Sequence, residues 1–210
     1  QPAKLQQALL TARQRGALLM GVALIMALYH LGIFWRRRDA KDCLWFSVFC
    51  FIIFAREAAT KQILGQWASE PSNLVWSIEQ HIRYICMNGA MGALWLCLHH
   101  ILPNQFRGRM LQFVVGICAF NSLQILILSP YLFSHLLSYY TYTLFALVLL
   151  SFAQVLRALI AKEDFSVALT IGIAAASASA IHDVIVSEMF LDAHYIASYG
   201  VAVLILAKGH

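Results

Sequence analysis

Residues Gly16–Trp35 read GALLMGVALIMALYHLGIFW, a run in which no aspartate, glutamate, lysine or arginine occurs. A soluble amphipathic helix carries a polar face that returns every 3.6 residues, and this stretch has none. A bilayer core of ~30 Å takes about 20 apolar residues in helical form. Only helices and closed barrels cross it, because lipid offers no partner to a backbone N–H or C=O. The stretch therefore reads as a transmembrane helix. Moving outward, the pattern recurs in Cys43–Thr60, Val75–Leu102, Met110–Leu128, Tyr131–Ile160, Ser166–Met189 and His194–Lys208. The expected fold is all-α, a polytopic seven-transmembrane bundle over residues 16–210.

Composition agrees with that solvent. Apolar residues make up 61% and charged residues 12% of the chain, and the mean hydropathy is +0.72. Soluble domains carry about 25% charge, twice this share. The net charge of +5 sits beside helix ends rather than on one solvated face, so no nucleic-acid partner is expected. The bilayer is the expected partner. Cys43, Cys50, Cys86, Cys97 and Cys118 stand singly inside apolar segments and read as small buried hydrophobes.

Orientation follows from lysine and arginine. Nine of them (Arg36, Arg37, Arg38, Lys41, Arg107, Arg109, Arg157, Lys162 and Lys208) fall on one side of the expected bundle. Lys4, Arg13, Arg15, Arg56 and Lys61 fall on the other, and Arg83 lies inside the third helix. The positive-inside rule then predicts an outer amino terminus and a cytoplasmic carboxy terminus.

Breakers mark the boundaries. Pro71-Ser72-Asn73 opens the third helix, Pro103 ends it, and Ser129-Pro130 turns the chain into the fifth. The fifth apolar run is long enough to predict a helix of roughly 45 Å that tilts or projects. Residues 1–15 are polar and helix-forming, with Leu5, Leu9 and Leu10 on one face. They read as a linker from an outer domain. With no signal peptide before Gln1 and an apolar run just before His210, the chain is expected to be part of a longer protein.

Ionisable residues inside membrane helices are costly and mark functional or structural polar clusters. In the predicted orientation Arg56, Arg83 and Asp183 sit at similar depth in the outer leaflet. Glu79 and Arg83 are four apart, in the favourable order for an ion pair. Gly172, Ala176, Ala180 and Asp183 recur at helical spacing. This small-residue stripe predicts close helix approach, with Asp183 facing inward toward Arg83 or Arg56. Two readings stay open: an ion pair that sets helix register, and a ligand pocket or switch built from Arg56, Glu79, Arg83, His182 and Asp183. His182, beside the carboxylate, adds a group able to respond to pH.

Other chemistries find less. His81, His194 and Asp192, with Glu79 and His182, offer weak ligands for an outer zinc, but no HExxH is present. A membrane-embedded metal-dependent hydrolase and a small transporter are the alternatives. The second is disfavoured because no repeat or proline-broken span is evident. A retinal Schiff base needs a lysine in mid-helix, and Lys208 closes the last helix. No cofactor is expected.

Several segments carry a family likeness. They are the first helix Gly21–Leu31 with its turn Arg36-Arg37-Arg38-Asp39, the closing Phe54-Ala55-Arg56-Glu57, the opening Glu79-Gln80-His81-Ile82-Arg83-Tyr84, Ile181-His182-Asp183-Val184-Ile185, and Ser198-Tyr199-Gly200-Val201. Together they resemble the membrane domain of the bacterial seven-transmembrane receptors with diverse intracellular signalling modules. Where that family commonly has Asn-Asp, this chain has His182-Asp183. The resemblance implies an inner-membrane sensory or relay domain, a periplasmic sensory domain before it, and a histidine kinase or diguanylate cyclase effector after it. It also implies a homodimer and an unidentified small ligand.

Overall fold

The computed structural model describes residues 2–60, 73–161, 167–188 and 197–208, with side chains at 17–60, 73–161, 170–179, 181–182 and 200–208. Within these lie eight helices: α1 Pro2–Arg36, α2 Lys41–Thr60, α3 Asn73–Ile101, α4 Gly108–Ile127, α5 Pro130–His135, α6 Leu137–Ile160, α7 Val167–Glu188 and α8 Ala197–Lys208. The described residues hold no strand, as the all-α expectation requires. Four stretches are long and apolar enough to cross a membrane: Ala17–Arg36, Lys41–Thr60, Gly108–Ile127 and Leu137–Ile160. The α1 helix runs back to Pro2 without a break, so the segment before Gly16 extends the first helix.

Neighbours in sequence pack as neighbours in space. Helices α1, α2, α3 and α4 follow one another, α6 meets α7, and α7 meets α8. Contacts of α8 with α1 and of α3 with α6 close the bundle. Its polarity is inverted relative to a soluble protein. Ile127, Ile160 and Trp35 are more than 70% exposed, while Asn88, Asn121, Gln154 and Glu57 are buried. Exposed apolar surface on this scale needs a lipid or protein cover.

Polar side chains join the helices. Ser47 Oγ donates to the Ala27 carbonyl at 2.8 Å, tying α2 to α1. Trp95 Nε1 donates to Ser151 Oγ at 2.6 Å, tying α3 to α6. Asn121 Nδ2 donates to Asn88 Oδ1 at 3.3 Å, tying α4 to α3. Without water to compete, such bonds hold membrane helices together.

The boundary signals act where expected. Asn73 opens α3, and α3 stops at Ile101 before Pro103, since the residue preceding a proline is pushed out of helical geometry. Ser129 is extended (φ −65°, ψ 154°) and Pro130 takes the first turn of α5.

The single long fifth helix is a correction. Leu136 (φ −93°, ψ 4°) divides it into α5 and α6. Its N–H turns to the carbonyls of Phe133 and Ser134. No proline forces this. Phe133 is buried edge-on against His81 and Tyr84 of α3, with ring centroids 5.2 and 5.4 Å away. That packing sets the course of α5, and the 24 residues of α6 rise about 36 Å.

Of the small-residue stripe of α7, Gly172 and Ala176 pack against α8, while the side chains of Ala180 and Asp183 lie outside the described residues. A methyl at Gly172 would meet Ala207 Cβ at 2.8 Å and Leu204 Cα at 2.9 Å. One at Gly200 would overlap Ser179 Oγ and stand 2.6 Å from the Ala175 carbonyl. The two backbones touch, so each glycine is required by proximity. A methyl at Gly116 would meet nothing within 4 Å. Glycine-to-alanine in an open helix position gains up to about 1 kcal/mol of helix propensity, whereas overpacking costs about 1–3 kcal/mol. Gly200→Ala is therefore expected to lower the thermal midpoint of the detergent-solubilised protein, and Gly116→Ala to leave it unchanged or raise it.

Candidate functional site

Helices α2, α3, α6, α7 and α8 surround a central cavity of about 420 Å³. Its body is apolar, with Phe49 and Ile53 from α2, Met87, Met91 and Leu94 from α3, Leu144 and Val148 from α6, and Ile173 from α7. Both Arg56 and Arg83 line it. The sequence placed these arginines at one level on separate helices, and the fold brings them to one cavity. Arg56 Nη1 lies 3.1 Å from Glu57 Oε1, with the Arg56 side chain about one quarter exposed and that of Glu57 buried. The Nε atoms of Arg56 and of Arg83 are both buried with no hydrogen-bond partner among the described residues.

The other predicted site residues divide into three groups. Glu79 is buried and has interactions of its own. The ion pairs formed within the described residues are Arg56–Glu57 and Lys208–Asp42, so the Glu79–Arg83 pair suggested by the spacing is not made. The reason is direction: Arg83 turns into the cavity beside Tyr84, and Glu79 is not among the residues that line it. His182 is half-buried on α7. The Asp183 side chain lies outside the described residues, as do Asp192 and His194, so its expected pairing with Arg83 or Arg56 falls there too.

His81, a weak zinc candidate, has both ring nitrogens turned to backbone carbonyls. Nδ1 lies 2.7 Å from the Ser77 oxygen and Nε2 3.1 Å from the Leu128 oxygen. It ties α3 to the end of α4, an arrangement that leaves neither nitrogen directed at a metal.

A second polar constellation occupies the far end of the bundle. Lys208 Nζ, in the last turn of α8, donates to Asp42 Oδ2 in the first turn of α2 at 2.9 Å. Cys97 Sγ reaches the Asp42 carbonyl at 3.5 Å, and His99 Nδ1 contacts the Phe106 carbonyl at 2.6 Å. The end of α8, the start of α2 and the end of α3 thus meet at one face.

The family model described as "7TM diverse intracellular signalling" matches residues 16–208. The chain belongs to that family. Its 7TM sensory domain accounts for nearly every residue of the sequence, and it is a multi-pass membrane protein. No curated protein and no solved structure matches this 7TM domain.

Sequence reasoning on the 7TM domain misses the Asp42–Lys208 pair. In the sequence Lys208 reads as a flanking charge that sets orientation, and Asp42 stands just before the second apolar run with nothing to mark it. Their separation by 166 positions leaves no local signal. The apolar walls of the cavity are equally silent, because they share their composition with every other buried face. Partly exposed pairs contribute up to about 1 kcal/mol. A double-mutant cycle on Asp42→Asn and Lys208→Met, read by thermal unfolding, is expected to show positive coupling of that order. The reversed pair Asp42→Lys with Lys208→Asp is expected to recover part of it.

Proposed function

We propose that this chain is the transmembrane sensory and relay domain of a bacterial signalling receptor in the inner membrane. The proposed arrangement has seven spans, with the amino terminus outside and the carboxy terminus in the cytoplasm. Helices α3, α7 and α8 supply the three spans beyond the four that length and hydropathy identify, and α5 with α6 forms the fifth.

The observation that carries this reading is the course of α8. Val201 and Leu204 line the cavity, and Lys208, about one turn further, is bound to Asp42. One short helix therefore touches both the candidate ligand space and a polar latch at the opposite face. A ligand or a movement of an outer domain that favours one packing of α7 and α8 over another shifts the latch with it. Such coupling needs only a difference in affinity between two states. Asp183 and His182, on α7, belong to the same proposed switch.

The family's description, diverse intracellular signalling, supports an effector on the cytoplasmic side. A histidine kinase or diguanylate cyclase, in a homodimer and joined to a periplasmic sensory domain, fits that role. The metal-dependent hydrolase has less support, because His81 directs both ring nitrogens to backbone oxygens.

Two measurements test the reading. In a cysteine-free background, Arg37→Cys is expected to react with a membrane-impermeant maleimide only after the cytoplasmic side is opened, and Ser129→Cys in intact spheroplasts. The reverse pattern overturns the orientation. In the complete receptor, Asp183→Asn and Lys208→Met are each expected to shift basal output severalfold while expression is retained. Unchanged output from both removes the relay assignment.

A further inference from the structure

The shape and chemistry of the central cavity name a class of ligand. Along α6 the lining residues run Leu137, Thr141, Leu144, Phe145, Val148 and Ser151, one helical face spanning about 21 Å. A cavity of about 420 Å³ extended along that face is a slot long enough for an alkyl chain. The volume also falls in the lower part of the ~300–1,000 Å³ range of ligand pockets.

Charge is placed at one end. Among the described lining residues the only ionised groups are Arg56 and Arg83, near the end of α2 and in the first half of α3. Their buried Nε–H donors lack acceptors among the described residues, and a buried donor left unmet is costly. A guanidinium presents its donors as a planar fork matched to a carboxylate, phosphate or sulfate. The rest of the wall is mainly methionine, leucine, isoleucine, valine and phenylalanine, with Tyr84, Thr141, Ser151 and Ser177 among them, and Met87 and Met91 are able to adapt to a flexible chain.

We infer that the cavity binds a single-chain anionic amphiphile, of the fatty-carboxylate class, with its head between Arg56 and Arg83 and its chain along α6. This rests on reading the cavity as the ligand site of the relay. It adds the ligand's chemistry: the acid meets both arginines, and the chain reaches the Leu204 face of α8.

The test uses the chain reconstituted in phosphatidylcholine nanodiscs with a dansylated undecanoate as fluorescent probe, empty nanodiscs giving the partition background. Dodecanoate is expected to displace the probe at least tenfold better than dodecanol or dodecyltrimethylammonium. Shortening the competitor is expected to weaken it roughly three- to fourfold per methylene. Arg83→Gln is expected to weaken probe binding about tenfold or more, with Arg83→Lys retaining part of it. Ala90→Leu, which fills the chain region and leaves both arginines, provides a second route should the arginine variants elute as aggregates.

Equal displacement by dodecanol, or binding unaffected by Arg83→Gln and Ala90→Leu alike, overturns the proposal. Displacement of the probe by phosphatidylglycerol discs as effectively as by dodecanoate overturns the single-chain assignment and points to a bilayer lipid. Absence of probe binding, in a receptor whose output still responds to Lys208→Met, rejects the ligand class and leaves the relay reading standing. Tight binding with output insensitive to both Lys208→Met and Asp183→Asn does the opposite.

Discussion

Hydrocarbon gives a polar group nothing to bond with, and most of this structure follows from that constraint. It forces the backbone into helices, and it makes each buried side-chain donor a tie between helices or an unmet cost. Ser47 to the Ala27 carbonyl, Trp95 to Ser151 and Asn121 to Asn88 are ties of this kind. Where side chains are small, contact replaces hydrogen bonding: Gly172 and Gly200 bring α7 and α8 to backbone distance. Arg56 and Arg83, like His30 and Tyr140, are exceptions, with buried polar atoms that the described residues leave unmet.

The two arginines border a gap in the packing. The α3 and α6 helices are tied by Trp95–Ser151, and nearer the arginines their facing side chains stand apart around the cavity. On the far side Val201 and Leu204 of α8 complete its wall, so the helix that ends in the Asp42–Lys208 pair also lines the cavity. In the relay proposed above, α7 and α8, whose backbones touch at Gly172 and Gly200, carry a change at the cavity together. A packed pair of this kind moves between discrete arrangements more readily than it deforms.

Much of the fold was legible because hydropathy reports the solvent of each segment directly. The run from Gly16 to Trp35, the stop before Pro103 and the turn at Ser129-Pro130 each reflect a local rule of chain geometry. The Gly172–Ala176 spacing was legible for a related reason, since small residues four apart lie on one face whatever that face meets. The break at Leu136 was hidden. It depends on Phe133 packing between His81 and Tyr84, residues some fifty positions away. The i, i+4 spacing of Glu79 and Arg83 misled for the same reason, because the cavity and Arg83's reach decide its direction.

The amino-acid sequence by itself determined that the chain is helical and lives in lipid, where most helices start and stop, and that arginines on separate helices share one level. These are properties of single segments, set by transfer from water and by backbone sterics. Tertiary structure alone decided that Arg56 and Arg83 open onto one cavity, that α8 forms part of its wall, and that Lys208 meets Asp42. Each of those depends on how distant helices pack, and packing in a uniformly apolar medium is set by side-chain shape, which hydropathy does not encode.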